Sequence, residues 1–343
     1  NCRLQASTSH ENSAGFTGSA GTSILCVEGR SHLFVDSRYH LQAEKTCAEK
    51  FEIHKLGNEG VMEPHKWIVS CRKKHLVVGA DPFVMSSNEW GIYKNAINKK
   101  GHIFRPITPN LVDTIWENRP NPPKKRIYPL PIEYTGKESR KKLNEIQEKI
   151  NEARLLDISK KYILIISKLD EIAWLTNLRG SDIDYNPVFE AYAVISNDWA
   201  ICFCHIPGEN FEANCPGWEF RNYDEYKIFL EEIANEKNLK VWLDPSSVTM
   251  GTRLFFSEKQ VVEKKCPIEI YKAIKNPIEI QCMKNAHKQA AVAIVKSFRL
   301  LHNAYEIGQT LTEKEFVDLL FEEYSKLENF SDLSFNTIAG SGP

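Results

Sequence analysis

The sequence predicts an α/β fold, on three observations. A short β-branched run at residues 162–166 has the length of a buried strand, and a helix-forming stretch, a polar loop and a second strand at 189–195 follow it. A similar order of glycine-bearing loop, hairpin, helices and short strands occurs earlier, between 15 and 105, so the chain reads as two related units. Between them lies Arg119-Pro-Asn-Pro-Pro123 followed by Lys124-Lys-Arg126, the clearest linker in the sequence.

Taken in order, residues 1–14 show no periodicity and read as loop. Residues 15–21 (GFTGSAG) form a glycine-punctuated turn into a β-branched strand at 22–27. Glu28-Gly29-Arg30 is a hairpin turn and 32–35 the returning strand. Ser37 is placed to cap a helix with Tyr39, Ala43 and Cys47 on one face. Strands follow at 51–54 and 76–79. Ser86 and Glu89 make a capping box for a helix that turns Trp90, Tyr93 and Ile97 inward, Gly101 ends it, and 102–105 is a last short strand. The first unit lacks the helix and strand that precede the loop in the second, which implies that its start is missing.

The second unit opens with a helix on which Leu143, Ile146, Ile150 and Ala153 keep helical spacing. After the strand at 162–166, Asp170 is placed to cap a helix carrying Ile172, Ala173, Trp174 and Leu175. Gly180, Asp182, Asp184, Asn186 and Pro187 make a polar turn. A hairpin around Asn197-Asp198, a helix at 225–237 and a strand at 241–243 complete the unit. Beyond it, Asn276, Pro277 and Glu279 open a long helix with Ile280, Met283, His287, Ala291, Ile294 and Phe298 on one face. Thr312 and Glu315 open another, bearing Phe316, Leu319, Leu320 and Tyr324, and nothing left in the chain obviously covers either face.

Composition narrows the function classes. A formal net charge of −1 gives no electrostatic footprint for nucleic acid, and no apolar run approaches the ~18 residues of a membrane span. The polar start shows no signal peptide, although the chain opens on Asn1 without a Met. Nine cysteines without regular spacing argue against a disulfide framework and for a reduced, cytoplasmic setting.

Candidate chemistry is sparse. Asp182-x-Asp184 can be a metal pair, but such pairs more often support a polar turn. Cys202-x-Cys204-His205 can bind zinc, yet no second pair lies at finger-like spacing, and cysteine is a common core residue of strands. GFTGSAGT lacks the Gly-Lys-Ser/Thr ending of a phosphate loop. His287 on an apolar face reads as a hydrogen-bonded packing residue. No H-E-x-x-H, nucleophile elbow or kinase-type motif occurs. Arg38 in Asp36-Ser37-Arg38-Tyr39 is, by itself, a surface arginine.

The wording of LDEIAWLTNLRGSDIDYNPVF (169–189) resembles the middle domain of the Xaa-Pro aminopeptidases of the creatinase superfamily, in their three-domain eukaryotic form. Four further stretches agree in order and spacing: GFTGSAGTSIL with LFVDSRYHLQAEK (15–45), NLVDTIW (110–116), KAIKNPIEIQCMKNAH (272–287) and SFNTIAGSGP (334–343). The resemblance implies two ribonuclease-H-like domains, at 1–125 and 126–276, followed at 277–343 by the first helices of a pita-bread catalytic domain. Enzymes of this family release the N-terminal residue from peptides with proline in second position, using two metal ions, usually manganese, to activate a water. Two Asp, one His and two Glu hold those ions, and all are expected after Pro343. No metal ligand and no catalytic residue is therefore assigned in this chain, which is expected to be inactive alone. Arg38 matches an arginine associated with binding the peptide substrate, work suited to a planar guanidinium fork. The resemblance further implies a cytoplasmic homodimer. The alternative it leaves open is a non-catalytic relative that binds peptides or histones.

Overall fold

The structure, a computed structural model, describes residues 2–6, 15–72, 75–155, 157–205 and 211–341. Gly342 and Pro343, which close the last family-like stretch, lie outside the described residues. The strands of the first part are β1 (Cys2–Ala6), β2 (Thr22–Cys26), β3 (Ser31–Val35), β4 (Phe51–Lys55), β5 (Val77–Ala80) and β6 (Ile103–Pro106). Then come β7 (Tyr128–Pro129), β8 (Lys161–Ile166), β9 (Leu178–Arg179), β10 (Ala191–Ser196), β11 (Ala200–Cys204), β12 (Glu219–Asn222), β13 (Leu239–Leu243) and β14 (Val261–Glu263).

Two compact units can be distinguished. The first comprises residues 1–122, 159–166 and 227–265. Its six-stranded sheet runs in the order β4-β3-β2-β1-β5-β6. β1 pairs antiparallel with β2 and parallel with β5, so it lies in the middle of the sheet. This corrects the expected loop over the first residues, of which 7–14 fall outside the described part, and supplies the strand the first copy was expected to lack. CRLQA is too short to announce a strand; its hydrogen-bond partners are distant in sequence, and they decide its conformation. The remaining segments of this unit form a parallel set in which β13 pairs with both β8 and β14.

The second unit comprises residues 123–158, 167–226 and 266–343. Here β10 and β11 pair antiparallel, and β12 joins β11 in parallel. These pairings repeat the first sheet. β2-β3-β4 and β10-β11-β12 each run antiparallel and then parallel, while β1-β5-β6 and β8-β13-β14 are each all parallel. The duplication expected from element order is thus present in strand direction.

Local signals decide most helix ends. Ser86 Oγ accepts from the Glu89 amide at the start of the helix Ser87–Lys99, whose Trp90, Tyr93 and Ile97 are buried. Two expected caps differ. Asp36, not Ser37, caps the 3-10 turn Ser37–Tyr39, because its carboxylate reaches the Arg38 amide two residues on. Asp170 lies inside the first turn of the helix Leu169–Thr176, which starts after Lys168 with no side-chain cap. Capping boxes at Asn276 and Thr312 open the helices Pro277–Glu306 and Glu313–Ser325 as expected.

One buried cation sits in the core of the second unit. Lys142, on the helix Ser139–Arg154, is 1% exposed. Its ammonium donates to the Trp174 carbonyl at 2.9 Å and to Asn177 Oδ1 at 2.7 Å, and it lies 4.2 Å from the centroid of the Trp174 ring. Burial lowers its pKa from 10.5 to about 8, partly opposed by Glu279. A depression of that size corresponds to about 3 kcal/mol. Below pH 8 the folded and unfolded chains both carry the charge, and the full penalty is present. Between about pH 8 and 10.5 the folded chain sheds its proton first, so stability rises with pH. The neutral amine still donates to both acceptors, whereas Lys142→Met leaves them unpaired. The variant should therefore lose more stability, relative to wild type, at pH 9.5 than at pH 7.5. Paired urea titrations at the two pH values check this, and an equal loss at both would refute it.

Candidate functional site around Arg38

The two halves of the family-like stretch 15–45 meet on the first unit. Phe16, from the glycine-rich turn, is buried and sets its ring edge-on to Tyr39, with centroids 5.7 Å apart. Gly18 folds directly over that ring: a Cβ there would stand 2.2 Å from Phe16 Cζ, so only glycine fits. The turn is held further by a 2.5 Å hydrogen bond between the Ser19 and Tyr39 hydroxyls, and by Gln42 Nε2 donating to Thr17 Oγ1 at 2.6 Å.

Arg38 stands at the surface of this assembly, its side chain 64% exposed. Its Nε donates to Asp36 Oδ1 at 3.0 Å and its Nη2 to Asp36 Oδ2 at 2.8 Å, a two-pronged grip that fixes the plane of the guanidinium. The guanidinium also lies 5.2 Å from the Tyr39 ring centroid. Hydrogen bonding from Arg38 holds the Asp36 carboxyl below its usual pKa, and the bond from Ser19 lowers that of the Tyr39 phenol. Of the five N–H donors an arginine carries, those outside the Asp36 grip remain for a carbonyl or carboxylate. The geometry therefore provides an oriented, exposed cation.

The other sequence candidates fall on their structural readings. Asp182 accepts from the backbone amides of Lys125 at 3.1 Å and Glu190 at 2.9 Å, which makes it the brace of the polar turn. Asp184 is exposed, 3.8 Å from the Lys125 ammonium. Cys202 and Cys204 are buried on β11, and a hydrogen bond from the Cys202 thiol to Cys204, with burial, pushes the Cys202 thiol well up. His205 instead engages Glu190, 3.0 Å away. His287 is exposed and donates Nδ1–H to the Met283 carbonyl at 2.9 Å. Nothing in the sequence marks His32, Glu52 and His54 as partners, yet the register of β3 and β4 brings them together. The available signal was Glu-x-His on one face of a strand, legible only once its neighbour was known.

Comparison with known proteins extends beyond this site. Residues 118–279 match the Creatinase/Prolidase N-terminal domain family. Over 96% of its length the chain is 33% identical to aminopeptidase P2 of Arabidopsis thaliana, covering 50% of that protein. It is 31% identical to the Xaa-Pro aminopeptidase ApepP of Drosophila melanogaster over 96% of the chain, covering 54% of that protein. Residues 118–279 thus carry a creatinase/prolidase-type domain, and the chain is similar over most of its length to Xaa-Pro aminopeptidases. It spans about half the length of the curated relatives it matches. Its fold is that of the X-prolyl aminopeptidase of Caenorhabditis elegans, described as a cytosolic enzyme with a di-nuclear active site. The two superpose with a TM-score of 0.89 at 24% identity, over 98% of this chain and 57% of the other. The α/β creatinase-like fold with mixed sheets is thereby established.

Among the described residues, the one group of three or more His, Cys, Asp or Glu donors close enough together to hold a metal ion is His32, Glu52 and His54. Among the same residues, no helix is long and apolar enough to cross a membrane.

Proposed function

We propose that this chain is the N-terminal, substrate-presenting part of a metallo-aminopeptidase that releases the N-terminal residue from peptides with proline in second position. Residues 1–125 and 126–276 then form two ribonuclease-H-like domains, and 277–343 the first helices of the pita-bread peptidase domain. The whole enzyme would use two metal ions, manganese by preference, held by residues following Pro343, and would act as a cytoplasmic homodimer. Supporting this are the match to named Xaa-Pro aminopeptidases across 96% of the chain and the cytosolic, di-nuclear description of the C. elegans enzyme. A bond to proline has no N–H and a fixed φ on its C-terminal side, so the carbonyl and carboxylate oxygens of the peptide are among the handles left to a peptidase acting there.

Arg38 carries the reading. It is exposed, its plane is set by Asp36, and its remaining donors match such oxygens. In the full-length protein, Arg38→Ala should lower kcat/KM on an Xaa-Pro peptide by about tenfold or more, the worth of a hydrogen bond to a charged group. The thermal midpoint should stay within a degree or so of wild type, because the residue is exposed. Unchanged turnover would remove Arg38 from substrate binding, and a large fall in thermal midpoint would make it structural.

A further inference from the structure

We propose that His32 Nδ1, His54 Nε2 and the Glu52 carboxylate form a binding site for one divalent transition-metal ion of the zinc type, on the first sheet. The inference is independent of the peptidase reading. It begins with register. β3 and β4 run parallel with His32 opposite Glu52 and Phe34 opposite His54. Alternate residues of a strand share a face, so Glu52 and His54 emerge on the same side as His32. Among the described residues, β4 has β3 as its one strand partner and ends the sheet, so an ion here would fasten the edge strand to its neighbour.

The distances suit an ion. Metal–nitrogen bonds of about 2.0–2.1 Å at tetrahedral angles separate neighbouring ligand atoms by roughly 3.3–3.4 Å. Here the two ring nitrogens are 3.0 Å apart. Glu52 Oε2 lies 3.5 Å from His32 Nδ1, and Glu52 Oε1 lies 3.9 Å from His54 Nε2. Shifts of a few tenths of an ångström complete a tetrahedral face, and the flexible glutamate can supply most of them. Without an ion, one ring donates its N–H to the other; with one, the donor ring exchanges tautomer through solvent, its proton moving to its other nitrogen, so both facing nitrogens offer lone pairs to the metal. Two imidazoles and a carboxylate favour zinc, cobalt or nickel over calcium and magnesium, which take oxygen ligands.

The rings are also held in place beforehand. Trp67 lies over His32 with centroids 3.9 Å apart, and Phe34 stacks on His54 at 4.2 Å and 10°. Aromatic neighbours on that scale restrict ring rotation, which is what a ligand set requires of its surroundings. Arg30, the cation nearby, donates its guanidinium to the Ala48 carbonyl. His32 is buried, whereas the Glu52 side chain is 55% exposed. The glutamate thus gives an entry path and leaves the fourth position to water.

Cobalt(II) titration of the chelator-stripped 343-residue chain tests the site. One equivalent should bind with the visible bands of a four- or five-coordinate ion, and one equivalent of zinc should displace it. Glu52→Gln, at an exposed position, should fold normally and bind at least about tenfold more weakly, a first ligand mattering no less than its outer partners. His54→Asn should abolish the bands. Zinc should raise the thermal midpoint of wild type by several degrees and that of Glu52→Gln much less. Absence of binding to wild type overturns the proposal. So does binding that Glu52→Gln leaves unchanged, which would place the ion elsewhere.

Discussion

Purified as the 343-residue chain and supplied with manganese, this protein should hydrolyse no Xaa-Pro peptide. The expectation rests on donor chemistry. Two-metal hydrolysis needs a set of ligands that holds two ions a few ångströms apart and shares a water between them. Among the described residues a single group of three can hold an ion at all, and its carboxylate is one exposed glutamate. Asp182, the best acidic candidate in the sequence, is occupied by two backbone amides. Arg38, even in the substrate-holding role proposed for it, is a cation that supplies neither a nucleophile nor a metal-activated water. Incubation with an Arg-Pro-Pro peptide and manganese, followed by mass spectrometry, should therefore show no product. Turnover that a chelator abolishes would mean that a competent metal centre lies within these residues.

Much of the fold could be read from single residues. The glycine and capping signals at Gly101, Ser86, Asn276 and Thr312 lie where helices end or begin, because these residues act within a turn of their own position. The hairpin of β2 and β3 turns at Gly29, which takes a positive φ of 84°. β1 was not legible, because CRLQA is a strand through its pairing with β2 and β5, and pairing is information from elsewhere in the chain. The short pair β7 and β9 escaped for the same reason.

The candidate site divides in the same way. Arg38 was singled out through the family resemblance of its four-residue turn, and the grip of Asp36 on it follows from a spacing of two. The metal-capable cluster depends on the register between strands about twenty residues apart. A shift of one residue in that register would turn Glu52 and His54 to the opposite face of the sheet. Lys142 illustrates a third limit: on its helix it looks like a solvated charge, and only the packing of Trp174 and Asn177 against it shows that it is buried.

Limited proteolysis of the isolated chain should cut first within the C-terminal helices and leave residues up to about 280 as the resistant fragment. Their apolar faces are open to solvent. Met283, Ile294, Phe298 and Phe321 are all exposed, with Phe298 at 56%. Each large apolar side chain left uncovered forgoes roughly 1.5–3 kcal/mol, so the two helices together forfeit on the order of 10 kcal/mol. That rivals the net stability of a whole domain. What opposes unfolding is local. The two capping boxes contribute about 1 kcal/mol each. Between the helices, Phe298 meets Phe316 at 5.3 Å, and Ala293 and Ser297 are buried. The first turn of the long helix is better held, because Asn276 Nδ2 donates to the Thr135 carbonyl at 2.9 Å and Trp174 Nε1 to Glu279 at 3.3 Å. Cleavage should accordingly begin past Met283 rather than at Pro277. The same exposed face should make the intact chain self-associate, and the trimmed fragment should elute as a monomer. Trypsin digestion read by mass spectrometry, alongside light scattering, tests both halves. A demonstrated monomer in which residues 284–341 resist protease as well as 139–226 would show that these helices are stable with their apolar faces in water.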